Sequence, residues 1–218
     1  MPAKRKLGVE GVLFDWDGTL LNSYHADTSA YLAMFKEMGI SWGLAELEKN
    51  YSPNWYQVYR AAGLPRKRWV DADRAWRAHY AMHRPKLISG ARRVLAKLGN
   101  THHLGLVTSG DRDRVTRQLR EFGLAGHFSV RVCSGDTLHK KPHAEPLRLA
   151  LRQMELDPAA CVYVGDAPQD VEMARRTGVR AIGVLGPFPT EKRLRAAEPD
   201  FLIASIEELP DTLKKFLR

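Results

Sequence analysis

Residues 12–14 are an unbroken run of large apolar side chains, Val12-Leu13-Phe14, that stops at Asp15; a second acid, Asp17, and a glycine, Gly18, follow at once. A short apolar run closed by a glycine turn predicts a strand buried on both faces of a parallel sheet. Over 24–38 the spacing becomes helical. Tyr31, Leu32, Phe35 and Met38 share a face, and Gly39 is the stop. Residues 41–86 contain no convincing strand: 71–83 reads as a long helix stopped by Pro85, and Gly63-Leu64-Pro65 as a helix-breaking turn. From residue 87 helix and strand alternate. The pattern predicts helices over 90–98, 112–122, 144–154 and 171–177, and strands over 103–107, 128–133, 161–164, 181–185 and 201–203. Ser205 and Glu208 have capping-box spacing for a last helix. Such alternation predicts an α/β fold, a doubly wound, Rossmann-like parallel sheet with helices on both faces. The expected domains are a core of 1–21 and 87–218, and an inserted all-helical domain of 22–86.

A length of 218 residues suits one α/β domain with an insert, and 44% hydrophobic and 27% charged residues are ordinary for a soluble globular chain. The two cysteines, Cys133 and Cys161, border apolar runs and read as small buried hydrophobes, not a bridge or a zinc site; that suits a reducing cytoplasm. No apolar run is long enough to span a membrane, and the basic start has no signal-like apolar core behind it. The net charge of +9 admits nucleic acid, an anionic surface or a small phosphorylated substrate. Its cations are scattered over Lys4-Arg5-Lys6, Arg66-Lys67-Arg68, Arg112, Arg114, Arg117, Arg120 and Lys214-Lys215, and read mostly as solvated helix faces. No nucleic-acid motif with interleaved aromatics appears, so nucleic acid is not the expected partner.

Candidate chemistry gathers at the predicted strand ends, where open α/β sheets place their ligands. Two adjacent acids raise the free energy of ionising one another, and a hard cation between them relieves that. Asp15 and Asp17 therefore suggest a metal, a phosphate and a nucleophilic or acid–base carboxylate; the alternative is a turn that caps the next helix. Thr108-Ser109-Gly110 ends the second strand and is either a phosphate-holding turn at a helix start or a plain cap. Lys140-Lys141-Pro142-His143 follows the third strand, and Asp166 ends the next, with Asp170 one helical turn on. Each has a bland reading as a surface lysine, a turn acid or a helix-start acid. Their joint order, each just past an apolar strand, favours phosphoryl-transfer chemistry, which needs a nucleophile, a proton donor, a cation clamp and a metal.

These motifs together resemble the haloacid dehalogenase superfamily of phosphohydrolases. Asp-Trp-Asp-Gly-Thr over 15–19 is similar to the first family motif, Thr108-Ser109-Gly110 to the second, Lys141 with Pro142-His143-Ala144-Glu145-Pro146 to the third in its phosphoglycolate-phosphatase-like form, and Gly165-Asp166 to Asp170 to the fourth. The likeness continues over 174–184, and the insert resembles the helical C1 cap. The resemblance implies that Asp15 is a nucleophile forming an aspartyl-phosphate. It makes Asp17 the acid–base, Thr108 with Ser109 or Gly110 the phosphoryl holder, and Lys141 the neutralising cation. Mg²⁺ is implied at Asp15, the Asp17 carbonyl and Asp166, with Asp170 an indirect or outer ligand. The dehalogenase branch lacks a carboxylate at the position of Asp17 and needs no metal, so the chain looks like a phosphatase.

By the same resemblance, the cap closes over the site and selects the leaving group. The run Asn50-Tyr51-Ser52-Pro53-Asn54-Trp55-Tyr56 is either a substrate-reading loop or a helix–turn–helix with Pro53 at the first helical position. It departs from the glycine-containing loop of many phosphoglycolate phosphatases. Arg60, His79 and His83 are candidates to meet a substrate anion and, taken singly, solvated helix residues. The expected function is a Mg²⁺-dependent, cytoplasmic phosphatase of a small phosphorylated metabolite, acting as a monomer or homodimer. The alternatives are a sugar phosphomutase of the same layout and a nucleic-acid-binding protein on an inactive scaffold.

Overall fold

A computed structural model describes residues 8–217, so the basic stretch Lys4-Arg5-Lys6 lies outside the described residues. The chain divides into two compact units, Met1–Leu21 with Leu87–Arg218, and Asn22–Lys86.

In chain order the elements are β1 (Gly11–Phe14), β2 (Leu21–Asn22), α1 (Tyr24–Glu37), α2 (Leu44–Asn50), α3 (Trp55–Ala61), α4 (Trp69–Tyr80), β3 (Lys86–Leu87), α5 (Ala91–Leu98), β4 (His103–Asp111), α6 (Arg112–Glu121) and β5 (Val130–Ser134). They continue with α7 (Glu145–Met154), β6 (Cys161–Gly165), α8 (Pro168–Thr177), β7 (Arg180–Val184), α9 (Glu191–Ala196), β8 (Phe201–Ile203) and α10 (Leu209–Lys214). The main sheet has six strands in the order β5-β4-β1-β6-β7-β8, all parallel. The chain moves outward from β1 through β4 to β5, then returns to β6 on the other side of β1. That reversal makes the carboxyl ends of β1, β4 and β6 the crevice of the fold.

Strand alternation divides the core. Val12 and Phe14 of β1 join Leu106, Leu95, Leu119 and Leu209 on one face, whereas Leu13 joins Val107, Tyr163, Leu147 and Val171 on the other. The unit Asn22–Lys86 has its own core of Tyr31, Met34, Phe35, Leu47, Val58, Tyr59, Leu64 and Ala72. Trp69 stacks on Tyr56 at 4.7 Å and donates through its indole N–H to the Leu64 carbonyl (2.9 Å), which seats the polar tip of the ring.

Several boundaries differ from the sequence pattern, each for a local reason. α8 begins at Pro168, not 171: proline needs no N–H in the first turn, and the Asp170 carboxylate accepts from the Ala167 amide (3.1 Å). β4 runs on to Asp111, past the predicted end at 107, because Asp111 pairs with Ser134 beyond a register shift. α4 starts at Trp69 and ends at Tyr80, before His83. α3 begins at Trp55, so Pro53 is not at its first position. The Ser205–Glu208 box opens a short 3₁₀ turn ahead of α10. The helices α2, α3 and α9, each of at most seven residues, carry too few turns for a readable periodicity.

Phe14 is fully buried and meets Phe128 edge-on at 6.5 Å. Phe14→Ala is expected to lose about 3–5 kcal/mol of stability, read as the shift in a urea unfolding midpoint at unchanged slope.

Candidate active site

Four sequence elements meet at the carboxyl edge of the sheet. β1 delivers Asp15, β6 delivers Asp166, the first turn of α8 delivers Asp170, and the segment between β5 and α7 delivers Lys141, whose bond to Pro142 is cis. All four side chains are buried, and oxygens of Asp15, Asp166 and Asp170 lie within 4.8 Å of one another. Lys141 Nζ donates to Asp15 Oδ1 (2.9 Å), to Asp170 Oδ1 (2.8 Å) and to the Tyr163 hydroxyl (2.7 Å), which itself donates to the Val107 carbonyl (2.7 Å). The ammonium thus spends all three of its donors inside the protein.

The backbone is shaped around the acids. Asp15 Oδ1 also accepts from the Trp16 amide at 2.7 Å. Asp166 Oδ1 accepts from the Thr19 hydroxyl (2.9 Å), and Thr190 Oγ1 donates to the Asp166 carbonyl (2.7 Å). Gly18, at φ +81°, lets the chain pass Asp166 so closely that a Cβ would lie 2.2 Å from its carboxylate.

Three carboxylates around one ammonium leave two negative charges uncompensated if all ionise, and burial makes that expensive. Desolvation, opposed by Lys141 and reinforced by Asp170, pushes Asp15 up to about 7. Burial, with Asp15 and Asp170 beside it, pushes Asp166 well above the usual carboxylate range. Burial alone would lower the Lys141 pKa, but Asp15 and Asp170 outweigh it and the pKa is raised. The lysine therefore stays charged, and the deficit falls on Asp15 and Asp166. Their donor set, buried carboxylate oxygens with excess negative charge, fits a hard divalent cation. Asp170 differs: Lys141 and the Ala167 amide already occupy its two oxygens.

Asp17 points elsewhere. Its carboxylate is held by the guanidinium of Arg114, Nη1 to Oδ1 at 2.9 Å and Nη2 to Oδ2 at 2.6 Å. Arg114 is buried, which corrects its assignment to a solvated helix face: the carboxylate of Asp17 draws the side chain inward. Thr108 is buried and accepts from the Gly110 amide (3.0 Å), while the buried hydroxyl of Ser109 has no hydrogen-bond partner among the described residues. The first turn of α6 is capped by Asp111, which accepts from the amides of Asp113 and Arg114 (both 3.2 Å). Thr108, Ser109, Ser134, Thr137, Lys140 and Lys141, with Cys133 and Pro146, line a small cleft beside the acidic cluster.

The structure thus brings Asp15, Asp166, Asp170 and Lys141 into one cluster, sets Thr108 and Ser109 in a cleft beside Lys141, and turns Asp17 toward Arg114. Sequence reasoning missed Arg114, Gln118, Thr19, Thr190 and Tyr163. A second group, His139, His143 and Glu145, could also reach one ion. Its imidazoles stack at 4.2 Å and 25°, however, so their in-plane lone pairs do not converge. Glu145 already accepts from the His139 ring (2.8 Å). In the helical unit, His79 is paired with Glu37 (2.7 Å), Arg60 lies over the Trp69 ring, and His83 meets His25 edge-on. Cys133 and Cys161 are free and buried, with thiol pKa values raised by burial to about 11. Among the described residues, no helix is long and apolar enough to cross a membrane.

Because Asp15 is held near 7 against an ordinary value of 3.8, the folded state binds its proton more tightly than the unfolded chain. That contribution to stability is present at low pH and is lost as pH rises through 7. In EDTA at about pH 7.5, Asp166→Asn is expected to melt higher than the parent, by roughly 3 °C per kcal/mol of repulsion relieved, with the gap shrinking toward pH 5. A lower melting temperature for the variant would contradict this.

The comparisons with known proteins agree with this geometry. The family model for haloacid dehalogenase-like hydrolases matches residues 12–184. A phosphoglycolate phosphatase of Neisseria meningitidis is 30% identical over 224 residues, covering 94% of each chain, and the pyrophosphatase PpaX of Bacillus velezensis is 27% identical, covering 92% of this chain and 94% of its own. CbbY of Rhodobacter sphaeroides, solved in complex with phosphate, has the same fold, with a TM-score of 0.80 over 92% of this chain and 96% of its own at 23% identity. Proteins of this kind generally use a divalent metal, and the acidic cluster around Lys141 is of the type that holds one. With the sheet, the edge cluster and the family model in accord, the chain belongs to the haloacid dehalogenase-like hydrolases.

Proposed function

We propose that this phosphatase hydrolyses a small phosphate ester or anhydride through an aspartyl-phosphate on Asp15. A carboxylate oxygen of Asp15 attacks phosphorus, the bond to the leaving oxygen breaks, and Asp17 supplies the proton that oxygen takes up. Asp17 then accepts a proton from the water that attacks the acyl phosphate, and inorganic phosphate and the free Asp15 carboxylate are released. Thr108 and Ser109 receive the phosphoryl oxygens. Lys141, kept charged by Asp15 and Asp170 and steadied by Tyr163, neutralises the charge that accumulates on them.

The carboxylates of Asp15 and Asp166 and the carbonyl of Asp17 are the proposed holders of Mg²⁺, with Asp170 acting indirectly through Lys141. When bound, the ion supplies charge neutralisation and phosphoryl orientation. The charge deficit among the buried acids is the observation that carries this reading. The relatives are named for phosphoglycolate and pyrophosphate hydrolysis, and we extend that substrate class, small molecules with two anionic groups, to this chain. We assign residues 22–86 the role of the cap that selects the leaving group, and place the enzyme in the cytoplasm, where two free thiols are stable.

The test is phosphate release from phosphoglycolate, pyrophosphate and sugar phosphates with Mg²⁺ present. Asp15→Asn is expected to lose activity by a factor on the order of 10³ or more. Phosphate release by the variant at the parental rate would remove Asp15 as nucleophile, and isomerisation of a sugar 1-phosphate without net release would make the enzyme a mutase.

A further inference from the structure

The fork between Arg114 and Asp17 belongs to a larger buried network. Arg114 Nη1 also donates to Gln118 Oε1 (3.2 Å), and the same oxygen accepts from the Trp16 indole N–H (2.9 Å). Trp16 is fully buried, stands between the two acids, and holds Asp15 through its backbone amide. The network is made possible by Gly110: a Cβ there would lie 2.5 Å from Arg114 Nη2 and 3.3 Å from Asp17 Oδ2. Arg114 and Gln118 sit one turn apart on the buried face of α6, beside Val115 and Leu119. Two polar side chains are thus set into an otherwise apolar helix face, where they bond to one another and to Asp17.

We propose that Arg114 is the positioning residue for Asp17. A free aspartate rotates about both of its side-chain bonds, whereas a bidentate guanidinium fixes the plane as well as the place of the carboxylate. Asp17 nonetheless keeps 23% of its side chain exposed, so a reacting group can reach it. Through Gln118 and Trp16 the fork ties the orientation of Asp17 to the element that orients Asp15. The rotamer of Asp17 and the backbone that orients Asp15 are therefore coupled before substrate arrives. The proposal rests on the reading of Asp17 as the group that protonates the leaving oxygen.

The test compares two substrates on the same protein sample: an alkyl phosphate, whose leaving oxygen needs a proton, and 4-nitrophenyl phosphate, whose phenolate departs without one. The readout is the ratio of kcat/KM values, alkyl over aryl, which reports the transfer to Asp15 without the later hydrolysis step and in which any loss of folded protein cancels. Asp17→Asn is expected to lower this ratio about a hundredfold. Arg114→Gln and Arg114→Lys are expected to lower it roughly tenfold or more, since lysine restores the charge but not the fork. Gln118→Leu, which leaves the guanidinium in place and removes its support, should lower the ratio in the same direction and carries the test if Arg114→Gln does not fold. A lowered ratio in Asp17→Asn with a parental or raised ratio in the Arg114 and Gln118 variants would overturn the role of Arg114 alone. An unchanged ratio in Asp17→Asn would overturn the reading of Asp17, and the proposal with it.

Discussion

One lysine faces three buried carboxylates at the edge of the sheet, and much of the local structure is arranged around that imbalance. Lys141 satisfies Asp170 and one oxygen of Asp15 but cannot neutralise the set. In water the surplus charge would be screened. Here the apolar sheet beneath the acids removes the solvent, and the unfavourable ionisation appears as raised pKa values on Asp15 and Asp166. A buried cluster of this kind is a poor way to stabilise a fold. It makes physical sense as the proposed seat of a cation that closes the charge deficit, with the proposed phosphoryl group against Lys141 and the hydroxyls of Thr108 and Ser109.

The fold provides this economically. The strand order turns back at β1, so the ends of β1, β4 and β6 open into one crevice. The glycines that matter lie where the backbone must approach a side chain: Gly18 against Asp166, and Gly110 against Arg114 and Asp17. The supporting bonds come from residues with nothing to do in the chemistry itself. Tyr163 bridges Lys141 to Val107, Thr190 ties the Asp166 backbone, and Thr19 holds its carboxylate. Such contacts fix rotamers around reacting groups, which is where precision in a site originates.

Much of this was legible in the sequence. The apolar runs ending in Asp15 and Asp166 mark buried strands whose first polar residue falls at the crevice, so strand, order and candidate acid are read together. What was not legible depends on distance in the fold. Arg114 reads as one of four helix cations, because its partner Asp17 lies 97 positions away. The signal that was present is periodic: Arg114 and Gln118 fall on the same α6 face as Val115 and Leu119, and a polar pair on an apolar stripe calls for a buried partner. Tyr163 gave no sign, since an aromatic residue in a strand is ordinary. The capping of α6 by Asp111 was hidden for a different reason: the strand was expected to stop at Val107, whereas pairing with Ser134 carries it to Asp111.

A divalent ion bound among the buried acids must displace their protons, and proton release on metal binding is the most direct test of that seat. Mg²⁺ titration by calorimetry, run in buffers of different ionisation enthalpy, counts the protons expelled. With Asp15 raised to about 7 and Asp166 raised as well, binding near pH 6 should release roughly one to two protons per ion, and fewer near pH 9, where Asp15 is already ionised. Failure to bind Mg²⁺, or binding with the same proton count at both pH values, would contradict the account.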